Sequence, residues 1–191
     1  MYARDTSKKI RSAFISKMNE GQYIGNFAPY GYRKNPENKN HLLIDEEIAP
    51  IIKNIFAMAS QGYTPSEIVE FLKERSIPTP AIYRCQVHKH LDINKYSKRQ
   101  EWTSGSIVKI LRNPVYLGHM AQKKTTKISF KSKKTIINAR EDWVLVEDTH
   151  EPIISRECFE MVRRRAESRT CERKNGFVNV FSGIAKCANF T

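Results

Sequence analysis

Trp102-Thr103-Ser104-Gly105-Ser106-Ile107-Val108-Lys109-Ile110-Leu111-Arg112-Asn113-Pro114-Val115-Tyr116-Leu117-Gly118 carries more structural information than any other segment of this chain. The spacing predicts a short helix over 104–112 with Thr103 as its cap. Asn113-Pro114 then stops it, because proline has no N–H to donate and disfavours helical geometry at the residue before it. Ile107, Ile110 and Leu111 fall at i, i+3, i+4 and make one apolar stripe. Ser106, Lys109 and Arg112 make a polar, cationic stripe away from it. A helix with its back in a core and hydroxyls and cations on its front suits a DNA groove.

Upstream, Thr64-Pro65-Ser66-Glu67 is a capping box with proline at the first helical position, and it opens a helix to about Arg75 with Ile68, Val69, Phe71 and Leu72 inward. Pro78 and Pro80 follow as its end, and residues 83–101 read as a polar surface insertion. Before Gly62, an amphipathic helix covers Asp45 to Ser60, its start shifted a residue or two by Pro50. Tyr30-Gly31-Tyr32-Arg33 and His41-Leu42-Leu43-Ile44 read as short strands around a turn at 35–40. Residues 22–33, rich in glycine, proline and aromatics, form an ordered connector. Thr6 to Glu20 reads as a helix with Ile10, Ala13, Phe14 and Met18 as its apolar stripe, the tail of a longer helix. The helices at about 46–60, 65–75 and 104–112 resemble a helix-turn-helix core.

Downstream, Val115 to Ala121, Lys127 to Phe130, Thr135 to Ile137 and Trp143 to Val146 are candidate strands. Ser155 caps a helix to about Ser168, with Phe159, Val162 and Ala166 inward. Residues 169–180 are polar, and Phe181 to Cys187 read as the start of a further element. Residues 122–140 hold seven cations (Lys123, Lys124, Lys127, Lys131, Lys133, Lys134, Arg140) and no acid. Such a run fits a path along DNA phosphates.

The whole chain shares that bias. Its 191 residues carry 33 Lys+Arg against 20 Asp+Glu, a net charge of +13, and polyanions are the first partners such a charge suggests. No run approaches the roughly 20 apolar residues of a membrane span, and the N-terminal segment has no apolar signal core. Cys85, Cys158, Cys171 and Cys187 are irregularly spaced and read as reduced thiols of a cytoplasmic protein. Cys85, His88 and His90 lie close in sequence but lack the further ligands of a zinc site. No Ser/His/Asp grouping, phosphate-cradling glycine loop or carboxylate cluster for Mg²⁺ is evident, so no active site and no cofactor is expected. Two alternatives stay open: a helix-turn-helix transcription regulator, which would need a dimer interface or effector pocket, and a metal-dependent nuclease using Cys85, His88 and His90.

With these residues in place, the chain resembles the recombinase domain of the large serine recombinases, the integrase and transposase group. The matching pieces run in the family's order over about residues 20–168. They include Gly25-Asn26-Phe27-Ala28-Pro29-Tyr30-Gly31-Tyr32, Ile44-Asp45-Glu46-Glu47, Gly62-Tyr63-Thr64, Ile77-Pro78-Thr79-Pro80, Trp102-Thr103, Asn113-Pro114-Val115-Tyr116-Leu117-Gly118 and His150-Glu151-Pro152-Ile153-Ile154. The resemblance implies a catalytic domain before Met1 whose serine attacks the DNA phosphodiester, joined through a long helix of which Thr6 to Glu20 is the end. It also implies a zinc ribbon downstream. Phe181-Ser182-Gly183-Ile184-Ala185-Lys186-Cys187 matches its opening, but Phe190 stands where the second cysteine is expected, so no zinc is predicted in this chain.

The expected architecture is therefore α+β: a helix-turn-helix-like three-helix core with a small antiparallel sheet, preceded by a linker helix. Residues 1–21 are the linker helix, 22–168 the DNA-binding domain, and 169–191 a flexible segment with the truncated zinc-ribbon start. The expected partner is double-stranded DNA at one half of an attachment site. Arg11, Lys17, Asn26, Arg33, Thr103, Ser104, Ser106, Lys109, Arg112, Lys123, Lys124, Lys131 and Lys133 are the expected contacts. The piece itself is expected to be monomeric off DNA and to do no chemistry, with dimers or tetramers forming through domains elsewhere in a parent recombinase.

Overall fold

Helix α1 (Tyr2–Asn19) leads into the connector and the antiparallel pair β1 (Tyr32–Lys34) and β2 (Leu42–Ile44). The computed structural model describes residues 2–96, 100–127 and 134–169. After β2 come α2 (Ala49–Gln61), α3 (Pro65–Glu74), α4 (Pro80–Val87), the single turn α5 (Ile93–Tyr96) and α6 (Ser104–Leu111). A 3₁₀ turn over Pro114–Leu117 precedes β3 (Met120–Gln122), β4 (Thr125–Lys127), β5 (Thr135–Ile137), a second 3₁₀ turn at Arg140–Asp142, β6 (Val144–Val146) and α7 (Arg156–Arg169). The class is α+β, as expected. Among the described residues the sheet content is three separate antiparallel pairs, β1–β2, β3–β6 and β4–β5.

Burial explains why these helices gather. α2 packs on α7 and α3 on α6. Ile52, Phe56, Ile68, Leu72 and Ile107 are all fully enclosed, and Phe159 and Val162 of α7 close the same core. Aromatic rings knit it further: Phe56 stacks on Phe159 at 5.8 Å and meets Tyr116 edge-on at 5.8 Å. Among the described residues no buried side-chain nitrogen or oxygen lacks a hydrogen-bond partner. The Tyr116 hydroxyl donates to the Tyr30 carbonyl at 2.9 Å, and the Tyr32 hydroxyl lies between the carbonyls of Val115 and Glu151.

Two glycines are needed at close approaches. Gly31 has φ +95°, and a Cβ there would come within 2.9 Å of Ile52. This ends the β1 strand at Tyr32, two residues short of the expected start at Tyr30. Gly118 has φ +84°, and a Cβ would lie 2.6 Å from the His150 carbonyl oxygen. The same residue explains why 115–121 is not one strand. The Asn113 side chain caps the turn after Pro114, Gly118 reverses the chain, and β3 starts only at Met120.

Two other expectations need correction, and the exposure of α1 is a further finding. Residues 83–101 are not simply a surface insertion: Thr79 accepts a hydrogen bond from the Ile82 N–H, Pro80 occupies the first turn, and α4 starts where the two prolines suggested only an end. Helix α2 starts at Ala49, later than Asp45, because Asp45 to Ile48 form a turn ahead of Pro50. The α1 stripe is not buried; Ile10 and Phe14 are 50% and 47% exposed. The expected strand at 127–130 and the zinc-ribbon start at 181–187 lie largely or wholly outside the described residues.

Candidate nucleic-acid interface

The front of α6 is built by its cap. Thr103 Oγ1 accepts from the Ser106 N–H at 3.2 Å, and Ser106 Oγ accepts from the Thr103 N–H at 3.2 Å while donating to the Thr103 carbonyl at 2.6 Å. The cap stands on Trp102, which is buried and donates from Nε1 to the Ile77 carbonyl at 2.9 Å. Ile107 and Ile110 hold the back of the helix in the core, as their spacing predicts. Lys109 and Arg112 are consequently exposed on the front. Ser106 is partly buried and engaged in the cap, so Ser104 is the hydroxyl most open to a ligand.

Helix α3 joins this surface. Its own capping box, Thr64 with Glu67, sets its first turn, and Ser66 Oγ lies 3.1 Å from Ser104 Oγ. The N-termini of α3 and α6 therefore meet edge to edge. Both present the positive end of a helix dipole, which favours an anion. The sequence pattern for each helix was readable, but their meeting was not, because it depends on the packing of α3 against α6.

At the other end of α6, Asn113 links the helix to the basic segment. Lys124 Nζ donates to Asn113 Oδ1 at 3.1 Å and lies 5.2 Å from the centre of the Trp143 ring. Burial holds the Lys124 amine below the ordinary lysine range. The structure thus gives Lys124 an internal partner, unlike the exposed Lys123 beside it. From this root the β4–β5 ribbon extends with both strands fully exposed, Thr125 pairing with Ile137 and Lys127 with Thr135. Lys131 and Lys133 lie outside the described residues.

The connector reaches the same region through a residue that sequence reading did not single out. Gln122 is buried; its Oε1 accepts from the Ile24 N–H at 3.1 Å and its Nε2 donates to the Gln22 carbonyl at 2.7 Å. This clamp fixes the connector against β3, so Asn26 and Arg33 are held on the exposed side of an ordered segment. Arg11 and Lys17 are exposed on α1. Cys85, His88 and His90 do not assemble a ligand set: among the described residues no three of His, Cys, Asp or Glu gather around a point that could hold a metal.

A family model described as Recombinase matches residues 46–169. The chain is 33% identical over 93 residues to the uncharacterized protein YefB of Bacillus subtilis (strain 168), a match covering 49% of this chain and 31% of YefB. Its fold is similar to that in a structure titled "Crystal Structure of a LSR-DNA Complex", with a TM-score of 0.55 at 16% identity, over 94% of this chain and 46% of that one. A second, titled "Sequence Requirements of the Listeria innocua prophage attP site", gives a TM-score of 0.51 at 19% identity, over 84% of this chain and 52% of that one. The chain thus spans about half the length of these solved chains and under a third of YefB. With the family model covering most of its length, from the turn before α2 to the end of α7, the chain belongs to the Recombinase family.

Proposed function

We propose that this chain is a double-stranded DNA-binding region of a site-specific serine recombinase, that it recognises one half of an attachment site, and that it leaves strand cleavage to a serine-nucleophile domain elsewhere in the parent protein. The observation that carries this reading is the meeting of the α3 and α6 N-termini at Ser66 and Ser104, with Lys109 and Arg112 exposed on α6 and Lys124 tying the end of α6 to the ribbon root. Ser66 and Ser104 suit a backbone phosphate, and Lys109 and Arg112 suit phosphates or guanine edges in the major groove. Lys123 and Lys127, on a ribbon without acids, suit the flanking backbone and contribute affinity without sequence preference. The net charge of +13 supports the same partner.

Footprinting of the purified chain on the ends of its host element tests the proposal. A protected half-site whose protection fades in Lys109→Ala/Arg112→Ala supports it. Unprotected ends, or cleavage of the DNA by this chain alone, would contradict it.

A further inference from the structure

A groove of about 230 Å³ runs between the connector and α4, away from the α6 front. Of its lining, Asn26 and Arg33 already belong to the interface above, while α4 supplies the opposite wall. One wall carries Phe27 and the other Tyr83, Val87 and His88. The cations Arg33, Lys34 and Arg84 also line it. The one carboxylate in the lining, Asp45, is engaged: its Oδ2 accepts from the Tyr83 hydroxyl at 2.6 Å and its Oδ1 from the Glu47 N–H at 3.2 Å.

The rings and cations are ordered together. The Arg84 guanidinium lies over the Phe27 ring, 4.9 Å from its centre, and Phe27 meets His88 at 5.2 Å. The connector is held in place by the Tyr23 hydroxyl, which donates to the Phe27 carbonyl. Tyr83 meets Tyr30 edge-on at 5.9 Å, and Tyr30 in turn meets Trp102 at 5.8 Å, so a chain of aromatic contacts joins the groove to the base of α6. Val87, at the rim, is 57% exposed despite its apolar side chain.

Paired duplex DNA offers phosphates on a convex surface, and exposed cations suffice for those. A concave site in which cations share the walls with aromatic rings is the arrangement used for unstacked nucleotides, with charge for the phosphate and a ring face for the base. Its volume lies below the roughly 300–1,000 Å³ of drug-sized ligand pockets, so it can enclose part of one nucleotide and leave the rest outside. We infer that the groove between the connector and α4 accepts one unpaired nucleotide of a DNA strand, its phosphate against Arg33, Lys34 and Arg84 and its base or sugar against Phe27 and Val87. This rests on the DNA-binding reading above and adds to it a preference for DNA with a locally opened strand.

The test compares fluorescence anisotropy of two labelled duplexes of one sequence, one fully paired and one with a single-nucleotide bulge, with adenosine monophosphate as competitor. The wild-type chain is expected to bind the bulged duplex about fivefold or more tighter, the scale of one base stacked on an aromatic ring. Phe27→Leu and, separately, the rim variant Val87→Glu are expected to bring that ratio to one. Because Val87 is exposed, Val87→Glu keeps the test valid even if Phe27→Leu impairs folding. Competition by the mononucleotide that removes the bulge preference alone would assign the groove to nucleotide chemistry in general rather than to a strand, and would overturn the strand-specific part. Equal binding of the two duplexes by wild type, or a preference that survives both variants, overturns the inference while leaving the DNA-binding reading intact. Failure of wild type to bind even the paired duplex in dilute salt would instead remove the reading on which it rests.

Discussion

Helix α6 and the β4–β5 ribbon are linked by the Lys124–Asn113 hydrogen bond, yet they are built on opposite principles. The helix has a fully buried back, a reciprocal cap and a buried tryptophan beneath it, so its front residues have fixed positions. In the ribbon every described strand residue is exposed; cross-strand hydrogen bonds hold it, with Asn138 at its root donating to the Lys123 carbonyl and Thr126 Oγ1 and accepting from Trp143 Nε1. A two-stranded ribbon without a covering layer is marginally stable by itself. Positional precision is what base readout requires, while phosphate attraction tolerates movement. Under the proposed function, this contrast would give discrimination between sequences to α6 and sequence-independent affinity to the ribbon.

Mutations can break or sharpen that contrast. Ile107→Ala, which empties an enclosed site behind α6, is expected to cost about 3–4 kcal/mol in chemical denaturation. Gly118→Ala combines a left-handed backbone with a 2.6 Å approach to a carbonyl and is expected to cost about 2–3 kcal/mol. A loss below about 0.5 kcal/mol for either would mean that the anchorage of α6 is looser than its burial implies. Thr103→Ala removes the cap and is expected to cost about 1 kcal/mol, lowering duplex affinity as the first turn frays. Ile137→Ala, at a position 80% exposed, is expected to change stability by less than about 0.5 kcal/mol. A larger loss would show that the ribbon packs on something and would erase the contrast.

Acid provides an independent probe of the α6 anchorage. His150 is buried, with Nε2 facing the Val115 carbonyl at 2.8 Å and Nδ1 facing Thr149 Oγ1 at 2.8 Å. The carbonyl can only accept, so Nε2 carries the proton of the neutral ring, and Nδ1 competes with the Gly118 carbonyl, 3.1 Å from Thr149 Oγ1, for the one Thr149 hydroxyl proton. Burial, with lesser contributions from His41 and His119, holds its pKa below the ordinary 6.5. The unfolded chain therefore binds more protons near that value. This part of the stability is full above about pH 6.5 and declines as the pH falls toward the folded pKa. Thermal melts of His150→Gln should show a shallower decline between about pH 7 and pH 5 than wild type. Parallel slopes would place the acid sensitivity elsewhere.

Local signals in the chain were readable before any coordinates. The Thr64 capping box, the Thr103 cap, the Ile107/Ile110 stripe and the stop at Asn113-Pro114 depend on residues within one or two turns of each other, and the structure shows each of them. Non-local features were not readable. Gln122 clamps residues 98 and 100 positions away, and a neutral amide in a basic run carries no signal of that role. Counting cations revealed the charge of 122–140 but not depth, and so treated Lys124 like Lys123. Helix α4 was missed because Pro78 and Pro80 read as terminators, although Thr79 between them is an N-cap. For α1, periodicity identified an apolar stripe, which reports which residues share a face and not whether anything covers it; Ile10 and Phe14 are in fact exposed.

The most direct test of the account is the salt dependence of duplex binding, measured for wild type, Lys109→Ala/Arg112→Ala and Lys123→Ala/Lys127→Ala on a cognate half-site and a scrambled duplex. The account predicts that the ribbon variant weakens binding to both duplexes alike and flattens the logarithmic salt slope by about two, one for each phosphate contact removed. It predicts that the α6 variant also loses the preference for the cognate sequence, by about 1 kcal/mol or more. A wild-type chain that ignores duplex DNA in dilute salt, or an α6 variant that still tells the two sequences apart as well as wild type does, would contradict it.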